Sequence, residues 1–211
     1  MIERPRSREG YQPVELRTPR GSVLCRLYPA TDDRRGVVWI GGIGGGFDTP
    51  ALELYPRLCS ELLEHGLSSL RVRYRNAYDL DECVYDTLAG LVYLDSRGMQ
   101  TAAVVGHSLG GAVAIRSALR DPSVKLVVTL ATQSYGAGQA GRLADDCALL
   151  LLHGENDEIL PPGSSLYVYR LAHEPKELVV YPHTGHTMDE AAEQVHARVR
   201  EWLLRYLKAR A

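Results

Sequence analysis

Short apolar runs and longer stretches of helical period take turns along the chain, and this alternation limits the fold more than any other feature. Residues 37–40, 69–72 and 101–105 are short and apolar; each is followed by a segment of helical period, 52–65, 81–97 and 109–120 respectively. The pattern resumes with 125–130, with 148–153 before 164–171, and with 177–181 before 189–207. Such alternation predicts βαβ units and therefore an α/β fold: a mostly parallel central sheet with helices on both faces. The runs VVTL, ALLLL and AAVV are continuously apolar, as strands buried on both sides must be. Ahead of them, residues 14–17 and 22–27 flank Thr-Pro-Arg-Gly and read as an antiparallel hairpin on the sheet edge. In the last segment Val195, Val199, Trp202, Leu203 and Tyr206 recur at three- and four-residue spacings, which predicts an amphipathic helix docked on the sheet.

Composition sets the remaining bounds. A chain of 211 residues, 45% hydrophobic and without a Pro/Ser-rich linker, is expected to form one domain over residues 1–211, with its core at about 14–207. Twenty-four basic against 26 acidic side chains give a net charge of -2, which argues against a nucleic-acid partner. The basic start, from Arg4 to Arg8, reads as a frayed, solvated terminus. No stretch approaches the roughly 20 apolar residues of a membrane span, and the first ten residues lack a leader's apolar segment. The expected partners exclude a membrane, and the expected location is the cytoplasm. Cys25, Cys59, Cys83 and Cys147 are scattered without CxxC or metal-type spacing and are expected to be buried free thiols, with no metal or cofactor. Nothing in the sequence specifies an oligomeric state.

Chemistry concentrates first at Gly106-His-Ser108-Leu-Gly110-Gly111, just beyond the apolar run 101–105. In a parallel α/β sheet, ligands sit outside the carboxyl ends of the strands. A strand that turns directly into a helix strains the residue between them, and glycines two before and two after relieve the clash. The turn would expose the Ser108 hydroxyl and aim the Leu109 N–H, at the helix N-terminus, toward a developing oxyanion. Chance places about 0.1 such patterns in a chain with these serine and glycine contents, so the position between strand and helix carries the weight.

This turn resembles the nucleophile elbow of the α/β-hydrolase superfamily. The resemblance implies an acid and a histidine in the order Ser, acid, His, each after a later strand. After 148–153 comes Gly-Glu155-Asn-Asp157-Glu158-Ile-Leu-Pro, similar to the family's acid loop with Asp157 in the acid's place; Glu155 and Glu158 are its neighbouring rivals. The loop after the preceding strand holds no carboxylate before Asp145. His183 and His186 lie after the last strand, and His186, preceded by Gly185, matches the family's base. His183 reads as a surface or neighbouring residue. His107 and His153 are expected to be structural neighbours, and His65, His173 and His196, on or beside helices, to be solvated.

The family's second oxyanion donor follows the strand at 37–40. Here the chain reads Gly41-Gly-Ile43-Gly44-Gly-Gly-Phe47, with Gly41 where many relatives carry histidine. Ile43 is the matching donor and Gly44 the alternative. The run lacks a nucleotide-binding pattern. Only 132–147 fills the place of the family's helical lid, so the resemblance is to compact lidless members, the dienelactone-hydrolase-like and small serine esterase groups. The implied activity is a serine hydrolase working through an acyl-enzyme on a small-molecule ester or thioester. The alternatives are a peptidase, acyltransferase or perhydrolase using the same residues, and a non-catalytic interaction module on the same scaffold.

Overall fold

A computed structural model describes residues 1–5, 7, 10–31 and 34–207. Its strands are β1 (Ile2–Glu3), β2 (Gln12–Thr18), β3 (Gly21–Tyr28), β4 (Arg35–Ile40), β5 (Ser68–Arg73), β6 (Thr101–His107), β7 (Val124–Leu130), β8 (Ala148–Gly154) and β9 (Lys176–Tyr181). The helices are α1 (Leu54–Glu61), α2 (Leu80–Ser96), α3 (Leu109–Ala118), α4 (Gly163–Leu171) and α5 (Ala192–Tyr206). All nine strands join one sheet in the order β1-β2-β3-β5-β4-β6-β7-β8-β9. From β5 to β9 every pairing is parallel, and β1, β2 and β3 add antiparallel. This is the α/β architecture expected, with the hairpin where the sequence places it.

Alternate residues of the central strands feed two separate cores. Val38, Val104 and Val127 point into a cluster with α2 and α3, whereas Val37, Val105 and Val128 point into one with α1 and α5. Two-sided burial is why these strands are continuously apolar. The β2–β3 turn is closed by its own threonine: the Thr18 hydroxyl donates to Gly21 O at 2.8 Å and accepts from Arg20 N at 3.1 Å. Residues 131–147, between β7 and β8, hold a single 3-10 turn (Ala140–Arg142) and no inserted helical layer.

Three details differ from expectation. The start of the chain is not frayed: Ile2 and Glu3 pair with Glu15 and Val14, and Arg4 N donates to Pro13 O at 3.1 Å. The unpaired edge of β2 and the Glu3 carboxylate, which binds Gln12, Tyr93 and Arg97, explain the ordering. Arg6 and Arg8 of the same basic stretch lie outside the described residues. The segment 52–65 is helical only from Leu54 to Glu61, then tightens to a 3-10 turn (Leu62–His65). His65 and His196 are not simply solvated either: Arg200 reaches both His65 Nε2 (2.9 Å) and Glu61, and Glu61 also pairs with His196 (3.1 Å). Exposed His173 hydrogen-bonds through its ring to Gly141 O at 2.8 Å.

Candidate active site

The turn between β6 and α3 carries the strain its sequence predicts. Ser108 has φ 56 and ψ -118, a conformation a non-glycine residue holds only when its surroundings enforce it. Enforcement comes from both sides: Ser108 N donates to Leu130 O at 2.8 Å, and Gly111 N to Ser108 O at 3.0 Å. A Cβ on Gly106 would overlap the Gly110 carbonyl, and one on Gly110 would stand 2.5 Å from Gly41 O. Only glycine fits either position. Ser108 remains 7% exposed, and Leu109 begins α3, where backbone N–H groups lack partners within the helix.

Asp157 sits in the turn after β8 with each oxygen committed. Oδ1 accepts from Ile159 N (2.9 Å) and Leu160 N (2.8 Å), and Oδ2 accepts from His186 Nδ1 at 2.7 Å. Burial opposes ionisation here. The Leu160 N–H, the His186 ring and the Ile159 N–H outweigh it and hold the carboxyl below its ordinary range. The bond fixes the His186 tautomer with Nδ1 protonated, leaving Nε2 as a free base. Of the rival carboxylates, Glu155 accepts from His183 N at 3.4 Å and Glu158 is exposed. The acid and histidine loops are joined by backbone: Asn156 N donates to Thr184 O at 2.9 Å, and a Cβ on Gly154 would collide with that carbonyl.

Two further histidines brace this pair. His107, next to Ser108, hydrogen-bonds through Nε2 to His186 O at 3.0 Å and packs its ring on the His186 ring, centroids 4.8 Å apart. Burial pushes its imidazole down to about 4, so the neutral ring donates. His107 therefore ties the serine turn to the His186 loop. His153, wholly buried, is also lowered by burial. Its Nδ1 accepts from Ser165 Oγ (2.6 Å), and its Nε2–H lies between Leu160 O (2.9 Å) and Asp157 Oδ2 (3.1 Å). This second Ser–His–Asp contact has no solvent path, since Ser165 and His153 are 0% exposed. It locks the acid turn onto α4. Structural roles for both histidines agree with the sequence reading, but the particular bonds were not legible in it.

The glycine-rich loop after β4 packs on the serine. A Cβ on Gly42 would stand 3.2 Å from Ser108 Cβ, and Gly45 N donates to Gly42 O at 3.2 Å, so Ile43 and Gly44 together form the intervening turn. His186 and Asp157 are thus bonded to each other at the carboxyl edge of the parallel sheet, and His107 ties their loops to the turn that carries Ser108.

Solved structures share this architecture. A dienelactone hydrolase from Anabaena variabilis matches with a TM-score of 0.80 and 17% identity, over 94% of this chain and 100% of that one. The chain has the α/β-hydrolase fold. A cold-adapted esterase from an Arctic intertidal metagenomic library matches with a TM-score of 0.80 and 16% identity, over 99% of this chain and 100% of that one. In sequence, 112 residues are 34% identical to the dihydrolipoyllysine-residue acetyltransferase component of the acetoin cleaving system of Cupriavidus necator. That match takes in 49% of this chain and only 28% of the relative. No protein-family model matches the chain.

Among the described residues, no cluster of His, Cys, Asp or Glu could hold a metal ion, and no helix is long and apolar enough to cross a membrane.

Proposed function

We propose that the chain is a serine hydrolase that cleaves small or medium carboxylic esters or thioesters through an acyl-enzyme on Ser108. The observation that carries this reading is the 2.7 Å bond from His186 Nδ1 to the buried Asp157, tied through His107 to a serine held in a strained elbow. In the first step His186 Nε2 takes the hydroxyl proton as Ser108 Oγ attacks the carbonyl carbon, and Asp157 stabilises the imidazolium. The tetrahedral oxyanion is held by Leu109 N–H and by Ile43 N–H, or by Gly44 N–H in the neighbouring register. The imidazolium then protonates the departing alcohol or thiol. In the second step His186 deprotonates water, which attacks the acyl group and releases the acid and free Ser108. This chemistry asks for no metal or cofactor.

An apolar substrate suits the rim. Ile43, Leu52, Tyr78, Tyr135 and Ile159 are exposed, and all lie on loops that follow parallel strands at the same sheet edge as Ser108. Four buried free cysteines suit a reducing, cytoplasmic setting.

A fluorophosphonate probe tests the reading. Covalent labelling should occur at Ser108 and vanish in Ser108→Ala, together with hydrolysis of p-nitrophenyl esters and acyl thioesters. Turnover should fall by about 10⁴ to 10⁶ with the melting temperature unchanged. Full activity in Ser108→Ala would end the proposal, and a folded wild-type protein that resists labelling would point to a non-catalytic module.

A further inference from the structure

The outer face of the N-terminal hairpin holds arginines that pair with no carboxylate among the described residues. Arg26 on β3 stands directly opposite Arg71 on β5, and Pro13 on β2 continues the row to Arg4. Directly opposed residues of an antiparallel pair project from the same face, where like charges repel. Both guanidiniums lie against one phenyl ring, that of Phe47: Arg26 at 4.3 Å from its centroid and Arg71 at 5.7 Å. Arg26 is also stacked on Tyr11 at 4.5 Å.

Arg71 is 4% exposed and donates to Phe47 O, a neutral partner. The acidic groups around it do not supply a counter-charge. Burial raises the Tyr28 and Tyr55 phenols and pushes the Cys59 thiol up to about 12, so all three stay protonated. Among the described residues no carboxylate pairs with Arg4, Arg26 or Arg71. Glu15, the acid on this face, is engaged by Ser22 (2.7 Å) and Arg17 (3.8 Å). A cavity of about 280 Å³ opens here, lined by Arg4, Tyr11, Leu24, Arg26 and Phe47 and, on the same face, by the engaged Glu15.

We infer that Arg26, with Tyr11 and Phe47 around it and the buried charge of Arg71 on the same Phe47 ring, forms a binding site for the anionic group of a small organic acid with an apolar body. A bound carboxylate or phosphate would relieve the Arg26–Arg71 repulsion. The planar guanidinium suits either anion, and the ring walls suit the body of the molecule. Phe47 ends the glycine run whose Gly42 packs on Ser108, so an occupant bears on the loop that carries the second oxyanion donor. That last link rests on the proposed hydrolase; the binding site does not.

Calorimetric titration of the Ser108→Ala protein with benzoate, and with benzamide as its neutral counterpart, tests the site without turnover. Benzoate should bind about tenfold tighter than benzamide, and Arg26→Met should reduce the difference to within about twofold. Arg26→Lys should fall between, keeping the charge and losing the fork. Equal binding of the two probes, or benzoate binding untouched in an Arg26→Met protein of normal melting temperature, overturns the inference. Two kinetic arms identify the source of the anion. If it is part of the substrate, p-nitrophenyl hemiglutarate should exceed p-nitrophenyl butyrate about tenfold in kcat/KM, a preference that Arg26→Met erases. If it is a separate ligand, benzoate should alter butyrate hydrolysis without competing. Absence of hydrolysis would count against the hydrolase alone and leave the titrations to decide the site.

Discussion

His107 and His153 show how a side chain can serve a site through its neutral form. Each is lowered by burial, and each spends its Nε2–H on a backbone carbonyl that shapes the loop bearing His186 or Asp157. His107→Phe leaves the His186 carbonyl without its donor. We expect roughly a tenfold loss of kcat/KM, the cost of one unmade bond at a group that must be held in place. His107→Gln, whose amide can donate to the same carbonyl, should restore most of it. The sign of the pH effect is fixed. A histidine whose folded pKa lies below its ordinary 6.5 leaves the unfolded chain binding more protons in between, so stability falls on acidification from 6.5 to about 4. Asp157, lowered from 3.8, adds a further loss below that value. Thermal melts from pH 7 to 3 should show both limbs, and His107→Gln should flatten the first. The elbow glycines predict a harsher outcome: Gly110→Ala puts a methyl carbon against the Gly41 carbonyl, and should displace the loop and cost most of the activity. A variant with wild-type kcat would contradict the packing described.

Elements were legible where local patterns fix them and blurred where the chain's environment intervenes. Helix α2 is an example of the first: Asp79 caps it by accepting from Asp81 N (3.0 Å) and Glu82 N (3.1 Å), and apolar residues keep helical spacing behind it. Asp79→Ala should cost about 1 kcal/mol, read as a drop of roughly 2–4 °C in melting temperature with activity unchanged. The strand at Ile2–Glu3 is an example of the second. Two residues carry no readable period; they are strand because β2 offers an open edge and because Tyr93 and Arg97, some 90 positions on, hold Glu3 there. The tightening of α1 into a 3-10 turn has a similar origin, since Gly66 N and Leu67 N draw the last carbonyls into a closed end.

Across the molecule, two cores lie on either side of one sheet, and buried polar contacts fix the loops that border them. Asp86, almost wholly buried on α2, accepts from Arg75 N (2.8 Å) and Nε (2.5 Å), and pins the loop after β5 to that helix. Asp86→Ala strands those donors and should destabilise by about 2–3 kcal/mol in denaturant titration, with Glu82 retaining part of the Arg75 charge. The sequence alone determined the α/β class, the strand-to-helix order and the places of Ser108, Asp157 and His186 after their strands. These follow from hydrophobic period and turn chemistry, which act within a few residues. Only the tertiary structure decided that Asp157 rather than Glu155 or Glu158 meets His186, that His107 and His153 brace the pair, and that Arg26 and Arg71 share one ring. Those relations depend on which strands lie side by side and in what register, and pairings across tens of residues leave no periodic trace in the chain that makes them.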